Sequence, residues 1–305
     1  MRRTTLSFFH FFILSLFLTA CGQREKEYDA TGTFEATEVT VSAEQSGTLF
    51  RFALEEGDNI AAGQEVGLID TTQIWLKLQQ ADAMKAVYQS QKPDLEKQIA
   101  ATRQQLEKAK TEQRRYQELV SDGAAPGKML DDATNQVKVL QRQLEAQISS
   151  LGTSTNALNQ QMAATDVQKS QLADQLKKCH VVAPQAGTVL EKYVEQGEFA
   201  APGKPLFKMA DTQQMFMRAY VTSAQLQNVK VGQKAKVFAD YGDGQRKEYD
   251  GTVTWISSRS EFTPKTILTD DERADLVYAV KVAVKNDGYI KIGMYGEVKF
   301  KTTTD

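Results

Sequence analysis

The sequence of 305 residues contains few of the side chains from which metal sites and catalytic triads are built. It has two histidines, His10 and His180, and two cysteines, Cys21 and Cys179. This scarcity excludes triads based on histidine, zinc sites made of several Cys or His, and paired redox cysteines. We therefore predict no catalysis, no metal site and no cofactor.

A strong excess of charge of one sign is also missing. Lys plus Arg total 37 against 39 for Asp plus Glu, which gives a net charge of -2. The chain thus lacks the basic surface of a protein that binds nucleic acid non-specifically. Its apolar content of 41% is ordinary for a globular protein and excludes a membrane protein with many spans. The length allows two or three domains.

The first twenty residues have the pattern of a secretion signal. Arg2 and Arg3 precede an apolar run over residues 6–18, which is shorter than the roughly 20 residues that a membrane-spanning helix needs. The sequence Leu-Thr-Ala-Cys-Gly at 18–22 resembles the bacterial lipobox, which implies that Cys21 is lipidated and becomes the mature N-terminus. We assign residues 1–20 to the signal peptide and 21–40 to a lipid-anchored tether with an edge strand. An ordinary signal peptide followed by a coincidental cysteine is the alternative.

Residues 41–71 are repeated at 181–211 with a constant offset of 140 and no gap. The repeat keeps three glycine pairs at one spacing, and glycine is favoured where the backbone turns with positive φ or another chain approaches closely. Alternating residues between the glycines predict short strands. Since each half is too small to bury a core alone, we expect the half-motifs 41–71 and 180–212 to pack into one β-sandwich. The paired glycines are Gly47 with Gly187, Gly57 with Gly197, and Gly63 with Gly203.

The glycine spacing resembles the half-motifs of biotinyl- and lipoyl-type domains. In such carrier domains a tight hairpin with a modified lysine joins the two halves. Here the junction is the helical sequence of residues 72–179, and no lysine sits on a tight turn. We therefore do not expect a carrier of a swinging arm.

The inserted segment has the heptad pattern of an antiparallel coiled-coil hairpin. Seam positions step by four and three from Leu95 to Val120, and in the second arm they recur every seven residues from 130 to 179. Pro93 should kink the first arm or mark its true start, and the turn-rich residues 121–127 should reverse the chain. Arms of roughly 50 residues give a rod of about 75 Å. The other seam position of the second arm is expected to be filled largely by Ile148, Thr155, Met162 and Leu176.

Residues 213–305 change to strand composition, with runs at 215–221, 234–239, 251–256, 276–284 and 297–300. Five or six short strands with Gly-rich turns predict a small barrel, to which residues 28–39 could add an edge strand. The expected fold class is α+β, mainly β with a long helical hairpin. A lipoyl-like sandwich is split by the hairpin and followed by the barrel.

This combination resembles the hemolysin-D-type membrane fusion proteins, which are periplasmic adaptors of tripartite exporters. The resemblance implies a ring of several copies in the periplasm of a Gram-negative bacterium, with the inner membrane as the first candidate for the lipid anchor. Its partners would be an inner-membrane transporter and an outer-membrane channel of the TolC type. One segment is similar to the EFTPK-type signature of adaptors that accompany ATP-binding-cassette (ABC) exporters, and it implies a loop facing the transporter. A structural loop of the barrel is the alternative. The segment comprises Glu261, Phe262, Thr263, Pro264 and Lys265, followed by Arg273.

The hairpin tip matches part of a second family pattern. Adaptors that dock on outer-membrane channels often carry Arg, then Leu four residues on, then Ser seven further. Arg115 and Leu119 match, but Pro126 stands at the serine position. The resemblance implies docking through this tip, and the missing hydroxyl puts the docking in question. Without the resemblance, Arg115 is an ordinary charged flank of a coiled coil.

Three other functions stay open. The chain could be a structural envelope lipoprotein with a coiled-coil spacer, or the adaptor of a proton-driven pump. Little sequence follows the last strand for the membrane-proximal domain usual in pump adaptors, which favours an ATP-driven partner. The third is a hydrolase using Asp131 and Asp132, although adjacent acids that begin a helix are more commonly partners of its dipole. Cys179 and His180 are expected to be packed or half-buried residues rather than ligands.

Overall fold

A computed structural model describes residues 28–262 and 276–301, which form a barrel, a sandwich and a helical hairpin. The chain enters through the barrel, passes into the sandwich, leaves it for the hairpin, and returns through the sandwich to the barrel. The strands are β1 (Ala30–Glu35), β2 (Glu38–Ser42), β3 (Gly47–Phe52), β4 (Asn59–Ile60), β5 (Glu65–Ile69), β6 (His180–Val182), β7 (Gly187–Lys192), β8 (Phe199–Ala200), β9 (Pro205–Ala210), β10 (Gln214–Thr222), β11 (Lys234–Gly242), β12 (Gln245–Phe262), β13 (Leu276–Lys285) and β14 (Tyr295–Phe300). The helices are α1 (Thr72–Gln91), α2 (Leu95–Ser121), α3 (Gly127–Lys177) and α4 (Ser223–Leu226).

The sandwich consists of two four-stranded sheets. The 140-residue repeat relates each strand of one sheet to a strand of the other. One sheet has the order β6-β5-β3-β8 and the other β2-β9-β7-β4. Each half-motif gives a two-residue strand to the sheet of the other half, because β8 pairs with β3 and β4 pairs with β7. The fully buried side chains between the sheets include Leu49, Ile69, Leu206, Phe207 and Met209. Neither half therefore has a complete sheet or a complete core without the other.

The hairpin has a first arm of two helices and a second arm of one. Lys92 is extended, with ψ of 124°, as expected for a residue before proline. The side chain of Asp94 then accepts a hydrogen bond of 3.2 Å from the Lys97 N–H and caps α2. Pro93 thus lies between two helices and precedes the start of the second. The 51 residues of α3 correspond to about 77 Å at 1.5 Å per residue.

The seam between the arms follows the predicted seven-residue repeat, with two corrections. Val137, Leu158 and Leu172 are buried at that spacing. Leu95, predicted as the first seam position, is 37% exposed at the start of α2, where the arm has only just begun. Ile148 is also exposed, by 40%, and Gln147 takes the half-buried position in the seam instead. The prediction for Ile148 is wrong because the other seam position follows Leu140 by seven residues, which places Gln147 there.

The barrel is closed by six strands in the order β1-β10-β13-β12-β11-β14. The prediction that residues 28–39 add a strand to the barrel is confirmed by β1, but this strand is not at an edge, since β1 pairs with β10 on one side and β14 on the other. The close approach of β1 depends on Gly32, where an added Cβ would stand 1.8 Å from the Arg218 carbonyl oxygen. Phe34 fills the barrel core together with Met215 and Met217.

These three units confirm the predicted fold class, a sandwich split by a helical hairpin and combined with a small barrel. Within the part of the chain that the structure describes, no helix has both the length and the apolar content to cross a membrane.

Candidate docking surfaces

Gly57 and Gly197 occupy equivalent turns at the ends of the sandwich. The backbone φ is 92° at Gly57 and 91° at Gly197. Their N–H groups donate equivalent hydrogen bonds of 2.9 Å, from Gly57 to the Val189 carbonyl and from Gly197 to the Leu49 carbonyl. An added Cβ would meet no atom within 4 Å at either position. Glycine is required at both turns for its backbone conformation and not for space.

Of the other two glycine pairs, one requires glycine for its backbone conformation and the other requires it for space. Gly63 and Gly203 have φ of 74° and 85°. At Gly47 an added Cβ would stand 2.8 Å from a side-chain carbon of β5, and at Gly187 it would stand 2.4 Å from the Ala210 carbonyl oxygen. The sandwich thereby holds its turns and its closely packed strands at matching places in both halves.

Of the three residues predicted at the hairpin tip, Arg115 and Pro126 are exposed and Leu119 is half-buried. The side chain of Arg115 is 70% exposed, and its Nη1 lies 3.9 Å from Glu112 Oε2. Leu119 is half-buried, and its carbonyl accepts a hydrogen bond of 2.8 Å from the Ala124 N–H in the turn. Pro126 precedes α3 with φ of -67° and ψ of 139°, and its carbonyl accepts from the Met129 N–H. Arg115 and Leu119 thus share one end of the rod, but only Arg115 is freely presented.

A groove beside the tip was not found by sequence reasoning. It has a volume of about 660 Å³ and lies between α2 and α3. Its apolar residues include Tyr116, Met129 and Leu140, and its charged residues include Lys108 and Asp132. The exposed Met129 close to Tyr116 across the turn is the signal that could have indicated it. Half of its ten lining residues are charged or amide side chains, so the groove offers a mixed surface on which an amphipathic helix of a partner protein could lie.

The described part of the EFTPK-like segment is anchored to the barrel by an arginine. Arg218 on β10 donates a hydrogen bond of 2.7 Å from Nη2 to Glu261 Oε1. This hydrogen bond raises the pKa of the Arg218 guanidinium. Glu35 of β1 also faces Arg218, at 3.9 Å, so three strands meet at this group. Phe262 ends β12, and the other four residues of the segment lie outside the described residues: Thr263, Pro264, Lys265 and Arg273.

A polar cluster joins the β11–β12 hairpin to the loop before β14. Lys247 Nζ lies 2.5 Å from Asp287 Oδ2 and within 6 Å of three tyrosine rings. The Tyr249 hydroxyl donates to Asp287 Oδ1 at 3.0 Å. The hydrogen bond from Lys247 is the main cause that lowers the pKa of Asp287 to about 2. The ring partners of Lys247 are Tyr241, Tyr249 and Tyr289.

At the hairpin base the cysteine is packed in the core and the histidine is half-buried, with a side chain that is 41% exposed. Cys179 is fully buried, its Sγ lies 3.4 Å from the Gln175 carbonyl, and burial raises the pKa of its thiol. His180 Nδ1 lies 2.8 Å from Glu65 Oε2, and this hydrogen bond lowers the pKa of Glu65. In residues 28–262 and 276–301 no group of three His, Cys, Asp or Glu could hold a metal ion. Cys21 lies outside the described residues.

Comparison with known sequences matches the chain to one family. A family model described as "RND MFP, barrel-sandwich hybrid domain" matches residues 37–212, the sandwich with its inserted hairpin and more than half of the chain. A "UPF0194 membrane protein in asrC 5'region" of Acidithiobacillus ferridurans is 26% identical over 299 residues, which cover 91% of this chain and 88% of the relative. A "UPF0194 membrane protein" of Yersinia pseudotuberculosis is 27% identical over 299 residues, covering 91% of this chain and 90% of the relative.

Comparison with solved structures supports the same architecture. MacA from Actinobacillus actinomycetemcomitans has a TM-score of 0.57 and 19% identity, over 90% of this chain and 77% of the MacA chain. A MacA–MexA chimeric protein with the Pseudomonas aeruginosa MexA α-hairpin domain has a TM-score of 0.52 and 20% identity, over 90% of this chain and 80% of the chimera. At these identities the similarity concerns the fold alone.

Proposed function

The chain belongs to the family of RND-type membrane fusion proteins with a barrel-sandwich hybrid domain, and from that premise we propose that it links an inner-membrane transporter to an outer-membrane channel. The hairpin is the observation that carries this proposal. Its 51-residue α3 extends about 77 Å, and the Ile69 N–H donates to the Cys179 carbonyl at 2.9 Å, so both arms are fixed at one base. A rod held at one end by a rigid sandwich is suited to bridging a distance between two partners.

The barrel is the proposed contact with the transporter, and an ABC-type exporter is the first candidate. The support is the similarity of residues 261–265 to the EFTPK-type signature, together with the hydrogen bond of 2.7 Å by which Arg218 fixes Glu261. The adaptor of a proton-driven pump is the second candidate, since the matching family model carries the RND description. In both cases the adaptor performs no catalysis.

The hairpin tip is the proposed contact with a channel of the TolC type. The exposed guanidinium of Arg115 can donate charge-assisted hydrogen bonds to carbonyls or carboxylates of the channel. The neighbouring groove, with Tyr116 and Met129 in its lining, offers apolar area for a helix of the channel. Pro126 has no hydroxyl and cannot make the hydrogen bond of the family serine. In this proposal the contact with the channel is made by Arg115 and the groove.

The proposed position of the protein is the periplasm, anchored to the inner membrane by a lipid on Cys21. Each buried CH₂ of an acyl chain contributes about 0.8 kcal/mol, so a terminus with several chains stays firmly at the membrane. We further propose that several copies assemble into a ring on the transporter.

Affinity purification of the tagged full-length chain from detergent-solubilised membranes tests the proposal. Co-purification of an ATPase and a permease supports the ABC candidate, and co-purification of a permease without an ATPase supports the proton-driven candidate. Recovery of the chain without any transporter, under conditions that preserve a known adaptor complex, would instead identify a structural envelope lipoprotein.

A further inference from the structure

The end of the barrel that lies away from the sandwich carries three exposed lysines around an exposed valine. Residues 36–37 and 211–213 connect β1 and β10 to the sandwich, so the start of β1 and the end of β10 lie at the opposite end of the barrel. We call the four residues at this end the lysine patch. They are Lys230, Lys234 and Lys301, all exposed, and Val231, which is 64% exposed.

Hydrogen bonds of Gln233 and the backbone hold the patch together. Gln233 Oε1 accepts a hydrogen bond of 2.8 Å from the Lys230 N–H, and Gln233 Nε2 donates one of 2.8 Å to the Lys301 carbonyl. The Lys301 N–H donates to the Lys234 carbonyl at 3.1 Å. The three lysines are therefore fixed as neighbours on one surface, although they come from distant parts of the barrel sequence.

The lysines of the patch carry a charge that is not used within the barrel. Among the described residues, none of the three forms an ion pair with an acidic side chain. The neighbouring Asp250 is held by Lys236, whose Nζ lies 2.8 Å from Asp250 Oδ1. The hydrogen bond from Lys236 is the main cause that lowers the pKa of Asp250, and the charges of Lys301 and Lys234 lower it further. The patch thus has an excess of positive charge.

The N-terminal end of the described chain is fixed beside the patch. Asp29 Oδ2 accepts a hydrogen bond of 2.8 Å from the N–H of Phe300, the residue before Lys301, and the Asp29 carbonyl accepts one from the Gln225 side chain of α4. Cys21 precedes Asp29 by only eight residues, and a fully extended chain of that length spans about 29 Å at most. A lipid on Cys21 therefore keeps this end of the barrel close to the membrane.

We propose that the lysine patch binds the phosphate headgroups of anionic lipids in the membrane that holds the anchor. The three ammonium groups supply the attraction, and the side chain of Val231 enters the headgroup region. An acyl anchor combined with a basic patch attaches a protein more stably than one acyl chain alone. The inference rests on the lipid anchor proposed above and adds a second contact, which orients the barrel on the membrane. Each lysine near an anionic surface strengthens the contact about fivefold.

Fluorescence quenching in vesicles tests this contact with the full-length chain and no transporter. Val231→Cys carries a fluorophore, the buried Cys179 stays unreactive, and the vesicles contain lipids with nitroxide-labelled headgroups. We expect quenching in vesicles that contain phosphatidylglycerol, and little in pure phosphatidylcholine or at high salt. The matched control is Val167→Cys, which is 61% exposed on α3 and should stay unquenched in both.

Neutral substitutions measure the contribution of the charges. Lys230→Gln with Lys301→Gln should lower the ratio of membrane-bound to free barrels by about 25-fold. Lys128→Gln with Lys138→Gln changes the net charge equally on exposed positions of α3 and should leave the ratio unchanged.

Three results would overturn the proposal: equal effects of the two double variants, equal quenching in both kinds of vesicle, or no quenching of the wild-type patch. Neutralisation of the patch by the acids of residues 263–275, which lie outside the described residues, would give the third result.

Further outcomes separate this contact from the functions proposed above. If the patch is not quenched but Lys230→Gln with Lys301→Gln no longer retains the transporter, the patch binds the transporter and the lipid contact is wrong. If the wild-type chain floats with anionic vesicles in low salt but not with neutral ones, the patch stands and the lipid anchor fails. If quenching occurs as expected but no transporter is recovered with the wild-type chain, the patch stands and the adaptor function fails.

Discussion

Gly57 allows a direct test of how the sandwich is held together. Replacing Gly57 with Val places the new Cβ in open space, with no atom within 4 Å, so the expected cost is the strain of a β-branched residue at φ of 92°. Strain of this kind costs about 1–3 kcal/mol. Asn adopts positive φ more readily than other side chains, so Gly57→Asn should lie at the low end of that range.

Two matched positions make the test specific. Gly197→Val should cost the same as Gly57→Val, since the backbone φ and the hydrogen bond are the same in both turns. Gly187 requires glycine for space, because its Cβ would stand 2.4 Å from the Ala210 carbonyl oxygen and disturb the pairing of β7 with β9. There Asn should be at least as damaging as Ala.

Thermal unfolding followed by circular dichroism and limited proteolysis measures these differences. A change of 1 kcal/mol shifts Tm by roughly 2–4 °C in a unit of 150–250 residues, so we expect a decrease of roughly 2–12 °C for Gly57→Val. A silent Gly57→Val, or rescue by Asn at Gly187 but not at Gly57, would refute the assignment of conformation to one pair and space to the other.

Three further predictions concern the anchor, the tip and the barrel. Cys21→Ser should abolish lipid labelling and leave an unprocessed precursor, and normal labelling of this variant would contradict the lipoprotein hypothesis. Arg115→Glu with Leu119→Asp should abolish export while folding and anchoring persist, so normal export would exclude docking through these residues. Lys247 lowers the pKa of Asp287 from 3.8 to about 2 in the folded chain. Between about pH 4 and about pH 2 the unfolded chain therefore binds more protons than the folded chain, and folding loses stability as the pH falls. Wild type should therefore lose more stability in this window than Asp287→Asn, as measured by urea unfolding, and parallel losses would contradict the ion pair.

The sandwich could be predicted from the sequence because its information is local and duplicated. Each turn is marked by a glycine, and the repeat at one offset reveals that two similar halves must share a core. The exchange of β4 and β8 between the sheets could not be read from the same pattern. It depends on which strands pair across a gap of more than a hundred residues, and a two-residue strand carries no periodicity.

The barrel and the tip show where local patterns stop being informative. The alternation in residues 30–35 predicts a strand but not its neighbours, and β1 acquires two partners only because β10 and β14 lie on either side of it. The groove at Tyr116 and Met129 arises from the spacing of two helices, which the heptad pattern does not specify. Arg218 was missed because an alternating strand residue gives no sign of its ion pair with Glu261.

The position of β1 makes closure of the barrel depend on strands from both ends of the described chain. Thr31 pairs with Tyr220 on one side and with Glu297 on the other. The pairing of β1 is therefore complete only when β14 is in place. The contacts of the hairpin are closer in sequence, and such contacts form faster. A chain that stalls before β14 leaves one edge of β1 unpaired and open to another chain. Pairing of β14 with β1 therefore removes the last free edge of the barrel.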